Sequence, residues 1–237
     1  MSAAELWRKP GKEESLWRRH PWVDVSAVAC VRGNPASGAT VTVRGADGRF
    51  LAWAADAPAS TLRARCGSFD ASQAVDAGLL AQRVHAAVAR RTPLAQASDA
   101  LRRVCGEADG LPGFVADRYA DWPVAQLQSA GAERWRAVLI EALAAATGCA
   151  RVYDRSDRAT RQREGLPATS GPLRGGEPPL SVELREHGLR DAVDVVRGHK
   201  TGCYIDQRDN RQRVRALAAL RAGVLGRAPR VPTRTSP

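Results

Sequence analysis

The chain has 237 residues, 44% hydrophobic and 26% charged, with a formal net charge of +11. That is enough for one or two compact domains of ordinary globular composition, and no run of about 18 apolar residues is present to cross a membrane. Five scattered cysteines with no C-x-x-C pair and no close Cys/His cluster argue against a zinc site or any metal; with no secretion signal at the N-terminus, they fit reduced thiols in a cytoplasm.

Residues 1–67 read as short strands around one small helix. Residues 13–19 are polar with Leu16 and Trp17 among them, and His20-Pro21 stops that helix. Residues 25–31 and 39–43 alternate β-branched and polar side chains, as half-buried strands do. A turn at Gly45-Ala46-Asp47-Gly48 leads to extended segments at 49–54 and 61–66, a pattern that predicts a small β barrel. The period then changes. Val75, Leu79, Val84 and Val88 recur at helical spacing over 70–91, with Ser72 as the expected cap and Thr92-Pro93 as the stop. Residues 114–118 and 124–128 are expected as paired strands. A helix follows over 133–147, closed by Gly148, and then a strand over 151–154. Residues 165–179, rich in Gly and Pro, are expected as a loop. Residues 180–185 and 190–196 form a hairpin about His187-Gly188, and 206–221 a last helix carrying Val214, Leu217, Ala218 and Leu220. Beyond Gly223 the tail has no apolar period, and its prolines forbid a continuous helix.

The charge is concentrated. Residues 197–237 hold ten Lys/Arg against two Asp/Glu, whereas 71–196 balance at sixteen against sixteen. A basic block of this kind suits phosphate contacts. Arginine outnumbers lysine almost throughout, and GC-rich coding also produces that bias.

Three blocks carry a resemblance. The first is Arg19-His20-Pro21-Trp22-Val23. The second is Gly106-Glu107-Ala108-Asp109-Gly110-Leu111-Pro112-Gly113, continued by Asp117-Arg118-Tyr119, Tyr153-Asp154-Arg155-Ser156-Asp157 and Glu164-Gly165-Leu166-Pro167. The third is Gly198-His199-Lys200-Thr201-Gly202-Cys203-Tyr204-Ile205-Asp206-Gln207-Arg208-Asp209-Asn210-Arg211. In order and spacing the chain resembles bacterial S-adenosylmethionine (SAM)-dependent 23S ribosomal RNA cytosine-5 methyltransferases with an N-terminal PUA domain, an RNA-binding β barrel.

The resemblance implies residues 1–68 as that barrel, 69–196 as a central α+β domain, 197–222 as the lead-in to a SAM domain, and 223–237 as a tail unlike the family. It implies ribosomal RNA as partner, with Arg18, Arg19, His20 and Trp22 on the RNA surface. It implies SAM as cofactor, with Lys200, Thr201, Gly202, Asp206, Gln207 and Arg208 lying against it. Asp206 is expected to cap the last helix, whose free N–H groups suit a carboxylate. Read from the residues alone, the same segment only connects and caps.

The chain also departs from the family. Cytosine C5 is a poor nucleophile until a thiolate adds at C6, and no cysteine here stands in the family's catalytic motif. Cys203 replaces an aromatic residue, Cys105 a histidine and Asp24 an aromatic residue, while 56–60 lack a tyrosine–asparagine turn. Residues 212–237, which follow the third block, are too few for a nucleotide-binding domain. The expected fold class is therefore α+β: a PUA-like barrel and a mixed domain, with the Rossmann-like SAM domain largely missing. On that expectation no catalytic residue is assigned, the chain alone does not bind SAM, and it is a fragment of unknown oligomeric state. The alternative is a stand-alone, non-catalytic RNA-binding protein.

Overall fold

The computed structural model describes residues 4–224. Its first unit is a six-stranded sheet in the order β2-β6-β5-β4-β1-β3, made of β1 (Glu5–Arg8), β2 (Trp22–Val23), β3 (Val28–Arg32), β4 (Thr40–Arg44), β5 (Phe50–Asp56) and β6 (Ala64–Ser68). The two edge strands, β2 and β3, follow each other in the chain. Val23 and Val28 are five residue steps apart, a reach of at most ~18 Å. The five inter-strand gaps of a flat sheet would span ~24 Å. The sheet must therefore curl, which produces the predicted barrel. Leu6, Val23, Val41, Val43, Ala52, Ala54, Ala64 and Cys66 fill it, and Leu16 of α1 (Glu14–Trp17) packs with them.

The second unit is a five-stranded sheet in the order β11-β10-β9-β8-β7: β7 (Ala100–Cys105), β8 (Phe114–Tyr119), β9 (Trp122–Leu127), β10 (Val152–Asp154) and β11 (Gly171–Arg174). Side chains alternate across it, as strand geometry requires. Phe114, Ala116, Ala125 and Leu127 pack with Leu80, Val84 and Val88 of α2 (Ala77–Arg91) and with Leu139 and Leu143 of α4 (Arg136–Thr147). Tyr119, Trp122 and Val124 pack with Val182, Leu184, Val193 and Val195, from and beyond the hairpin of β12 (Val182–Glu186) and β13 (Leu189–Val193). The shorter helices α3 (Ala130–Arg134) and α5 (Arg158–Arg163) lie between strands, and α6 (Arg208–Val224) follows the hairpin. Arg211 of α6 grips Glu186 with two 2.7 Å hydrogen bonds, while Val214, Leu217 and Leu220 stand exposed.

One carboxylate joins the two units. Glu164, 2% exposed, accepts from Ser60 Oγ at 2.6 Å and Arg65 Nη1 at 2.7 Å, both on the barrel side, and from the Ala130 backbone N–H at 3.2 Å. Arg83 adds a second tie by donating to the carbonyls of Gly67 and Gly110.

Several expectations need correction. The strand expected over 25–31 opens instead as a 3-10 turn, because the Asp24 carboxylate accepts from the Ser26 N–H at 2.8 Å and holds the chain bent; β3 begins at Val28. The helix expected from 70 begins at Ala77, capped by Asp76, which accepts from the Leu79 N–H at 2.7 Å; Ser72 bonds Asp70 instead. The loop expected over 165–179 contains β11, while β1, β7 and α5 have no counterpart among the expected elements. Asp206 caps nothing: it sits inside a 3-10 turn (Ile205–Gln207), and its carboxylate receives no backbone N–H among the described residues. The expected tail at 223–237 falls outside the described residues from 225 onward.

The fold class is also corrected. The second unit is not simply α+β: β10 lies parallel to β9 across the α3–α4 crossover, which is the βαβ unit from which Rossmann-like sheets are built. Sequence periodicity identifies strands and helices but does not say which way two strands run together.

Replacing Glu164 by Ala leaves the half-buried Arg65 with only the distant Glu107 carboxylate at 3.9 Å, and two further donors unpaired. The expected cost is roughly 3–5 kcal/mol of stability, read as a lowered denaturant midpoint.

Candidate functional site

The segment joining β13 to α6 lies on the hairpin side of the five-stranded sheet. Its anchor is Asp117 of β8, 1% exposed, which takes a bidentate pair from Arg102 (Nε at 2.8 Å, Nη2 at 3.0 Å) and a 2.5 Å hydrogen bond from Thr201 Oγ1. The Tyr119 hydroxyl shares a 2.8 Å hydrogen bond with Thr201 Oγ1, and burial followed by the nearby Asp117 charge pushes that phenol above its ordinary range. The two glycines serve this packing. A Cβ on Gly202 would lie 2.7 Å from Val193 and 2.9 Å from the Tyr119 ring, and one on Gly198 would lie 2.3 Å from the Asp194 carbonyl. Their small size admits the chain itself to the sheet.

The six residues expected near a cofactor are thereby divided. Lys200, Asp206 and Arg208 line a cleft of about 560 Å³ with Arg102, Cys203 and Tyr204. Thr201 and Gly202 are buried in the anchor. Gln207 does not line the cleft; its amide oxygen accepts from Asn210 at 2.8 Å. Lys200 has φ +60, a left-handed backbone unusual for a side chain of its length. The donor set fits SAM: cations for a carboxylate, an acid for hydroxyl or amino groups, and an aromatic ring with apolar neighbours for a base.

Cys203 lines the same cleft, but burial pushes its thiol up to about 11, away from the thiolate that nucleophilic attack needs. Cys66, inside the barrel, is pushed up to about 12 for the same reason. No group of three His, Cys, Asp or Glu side chains among the described residues is placed to hold a metal, and no described helix is long and apolar enough to cross a membrane.

The residues expected to face RNA sit together at the corner between α1 and β2. Arg19 adopts φ +59, the left-handed conformation that ends a helix, and the His20 N–H returns to the Ser15 carbonyl at 2.8 Å. His20 and Trp22 rings meet edge to face at 5.5 Å. Trp22 stays 43% exposed while its Nε1 donates to Glu107 across the units at 3.1 Å. Arg18 pairs with Glu14 on the surface. Arg19 borders two clefts, of about 380 and 680 Å³, and both also include Phe50 and Phe69. Trp17, 68% exposed, lines the smaller one. Sequence pattern places Trp17 only within a helix and misses its surface position; a tryptophan in so short and polar a helix is the signal that could have found it.

Similarity to known proteins runs across both units. The PUA-like domain family matches residues 9–69, the rolled sheet. The chain is 47% identical over 213 residues to ribosomal RNA large subunit methyltransferase I of Shewanella denitrificans, covering 88% of this chain and 53% of that protein. It is 45% identical over 203 residues to the protein of the same name from Escherichia coli, covering 85% and 51%. It thus spans about half the length of the curated relatives it matches. In fold it resembles a Streptococcus mutans protein described as a SAM-dependent methyltransferase (TM-score 0.72, 17% identity, 89% of this chain and 53% of that one). It also resembles a protein described as a methyltransferase complexed with SAH (TM-score 0.73, 17% identity, 89% and 53%).

These likenesses complete the correction of fold class. A superposition that takes in 89% of the chain must include most of the five-stranded sheet unit, so the expected fold class, a barrel and mixed domain with the Rossmann-like SAM domain largely missing, is replaced by a barrel and a five-stranded sheet unit that together share their fold with about half of each of these proteins.

The raised Cys203 thiol gives a pH signature. At pH 8 iodoacetamide is expected to label the exposed Cys30 first, with Cys203 labelling rising only above about pH 10, as read by peptide mass mapping.

Proposed function

We propose that this chain takes part in SAM-dependent methylation of large-subunit ribosomal RNA in the cytoplasm, with carbon 5 of a cytosine as the methyl acceptor. The observation that supports this reading best is the 47% identity that runs over 88% of the chain, through more than the barrel alone. The barrel corner supplies what RNA requires: Trp17 and Trp22 as faces on which unpaired bases stack, and Arg18 and Arg19 as phosphate partners. The Lys200 cleft is the cofactor side. Lys200 and Arg208 would hold the methionine carboxylate of SAM, and Asp206 its hydroxyl or amino groups. When bound, SAM supplies an electrophilic methyl group. No described cysteine is assigned as the nucleophile, since Cys203, the one lining this cleft, is shifted in the opposite direction.

RNA binding is expected to weaken steeply with salt. In a filter-binding series, replacing Arg18 and Arg19 by Ala should reduce the salt slope by about 1.4, or about 0.7 for each single-strand phosphate that is no longer neutralised. Trp22→Ala should weaken binding by ~5-fold or more by removing a stacking face. A salt-independent or absent signal would remove RNA from the reading.

The acceptor is tested in the cell, because 5-methylcytosine resists bisulfite conversion. Disrupting the gene should expose one formerly protected cytosine of large-subunit ribosomal RNA, and restoring the gene should protect it again. An unchanged conversion map would overturn the cytosine assignment.

A further inference from the structure

We infer that the cleft bounded by β9, the turn between β10 and α5, and Lys200 binds a single-stranded segment of RNA, its phosphates on Arg155 and Arg158 and a base edge on Gln128 and Gln126. The inference rests on the ribosomal RNA reading above and adds a second contact region, separate from the barrel corner.

The strand period builds this cleft. Side chains at even positions of β9 share one face. On that face Trp122 and Val124 are buried under the hairpin. Gln126, and Gln128 just past the strand, continue the same row beyond the hairpin's cover and line an open cleft of about 570 Å³ with Arg155, Arg158, Ser170 and Lys200. That volume lies within the ~300–1,000 Å³ of small-molecule sites. A strand that alternates apolar residues under cover and amides outside it presents hydrogen-bonding groups at fixed spacing on a rigid floor.

The groups are available. Gln126 donates from Nε2 to the Arg155 carbonyl at 2.9 Å, which orients the amide and leaves its oxygen free. The Gln128 side chain makes no hydrogen bond among the described residues, and neither Arg158 nor Lys200 has an acidic partner there. Arg155 spends Nη1 and Nη2 on the carbonyls of Val195 (3.2 Å) and Gly198 (2.7 Å), so it fixes the Lys200 segment while its charge remains uncompensated. The one acid in the lining, Asp157, is turned to the start of α5, where it accepts from the Thr160 N–H at 2.8 Å and hydroxyl at 2.7 Å; those bonds hold its pKa down.

Three cations against one engaged carboxylate suit a phosphodiester chain. A free amide, with two donors and one acceptor, suits the edge of an unstacked base. Lys200 also lines the neighbouring cleft with Tyr204, whose ring stacks on His199 at 5.9 Å. A strand in the first cleft is thereby led past Lys200 toward the cofactor side.

The test uses the full chain and fluorescent single-stranded RNA of mixed sequence, followed by anisotropy at several salt concentrations, together with 4-thiouridine crosslinking and peptide mapping. Arg158→Ala is expected to reduce the salt slope by about 0.7. Gln128→Ala is expected to weaken binding about five-fold and change the preferred base. Crosslinks are expected on peptides holding 126–128 or 155–158. If RNA binds and Trp22→Ala weakens it, while the Arg158→Ala/Gln128→Ala double variant binds as the unaltered chain does, the cleft assignment fails and the barrel assignment stands. If duplex RNA competes as well as single strands, the single-strand assignment fails. If no RNA binds even at low salt, this inference and the RNA reading fail together.

Discussion

The Glu164 carboxylate is the point on which the two halves of the molecule turn. It is buried, it belongs to the sheet unit, and two of its three donors belong to the barrel. Taking a carboxylate and a guanidinium out of water costs several kcal/mol each, and their attraction does little more than repay it. The net stability from such a pair is small, yet removing one member is costly. An interaction with that imbalance fixes geometry more than it adds stability. It sets the corner at Arg19 and Trp22 at one defined position against the sheet that carries Lys200. Trp22 itself reaches across to Glu107 and reinforces that alignment.

A second buried acid does the corresponding work on the other side of the sheet. Asp117 holds Arg102, and through Thr201 it holds the segment that ends in α6. Tyr119 fills the space beneath, and only glycine at 202 lets the backbone come so near its ring. With Thr201 and Gly202 used in this way, the charged side chains of the motif left lining the cleft are those on either side, Lys200, Asp206 and Arg208. Buried residues of the motif position the segment; exposed ones line the cleft.

Much of the fold was legible from pattern alone. Val41 and Val43 alternate with threonines and are buried on one face, so β4 was visible. Val84 and Val88 repeat at helical spacing, and Gly148, with φ +66, ends α4 where a glycine stop was expected. The failures have physical causes. Asp76 and Ser72 are both competent helix caps, and local sequence does not decide which one finds the free N–H groups. β7 alternates Leu101 and Val104 with arginines across a bulge, which breaks the period of two. β11 contains Gly and Pro and exists only because β10 offers it an edge.

The site followed the same division. The residue types that suit RNA and a cofactor were readable in the motifs, because arginine, tryptophan and glycine are distinctive wherever they stand. What the sequence by itself determined was local: periods, stops and the chemistry of short blocks, all set by neighbours along the chain. The tertiary structure alone decided that β9 and β10 run parallel, that Glu164 ties the barrel to the sheet, and that Gln128 and Arg158 border one cleft with Lys200. Those facts depend on residues tens of positions apart meeting in space, and no period along the chain encodes such meetings.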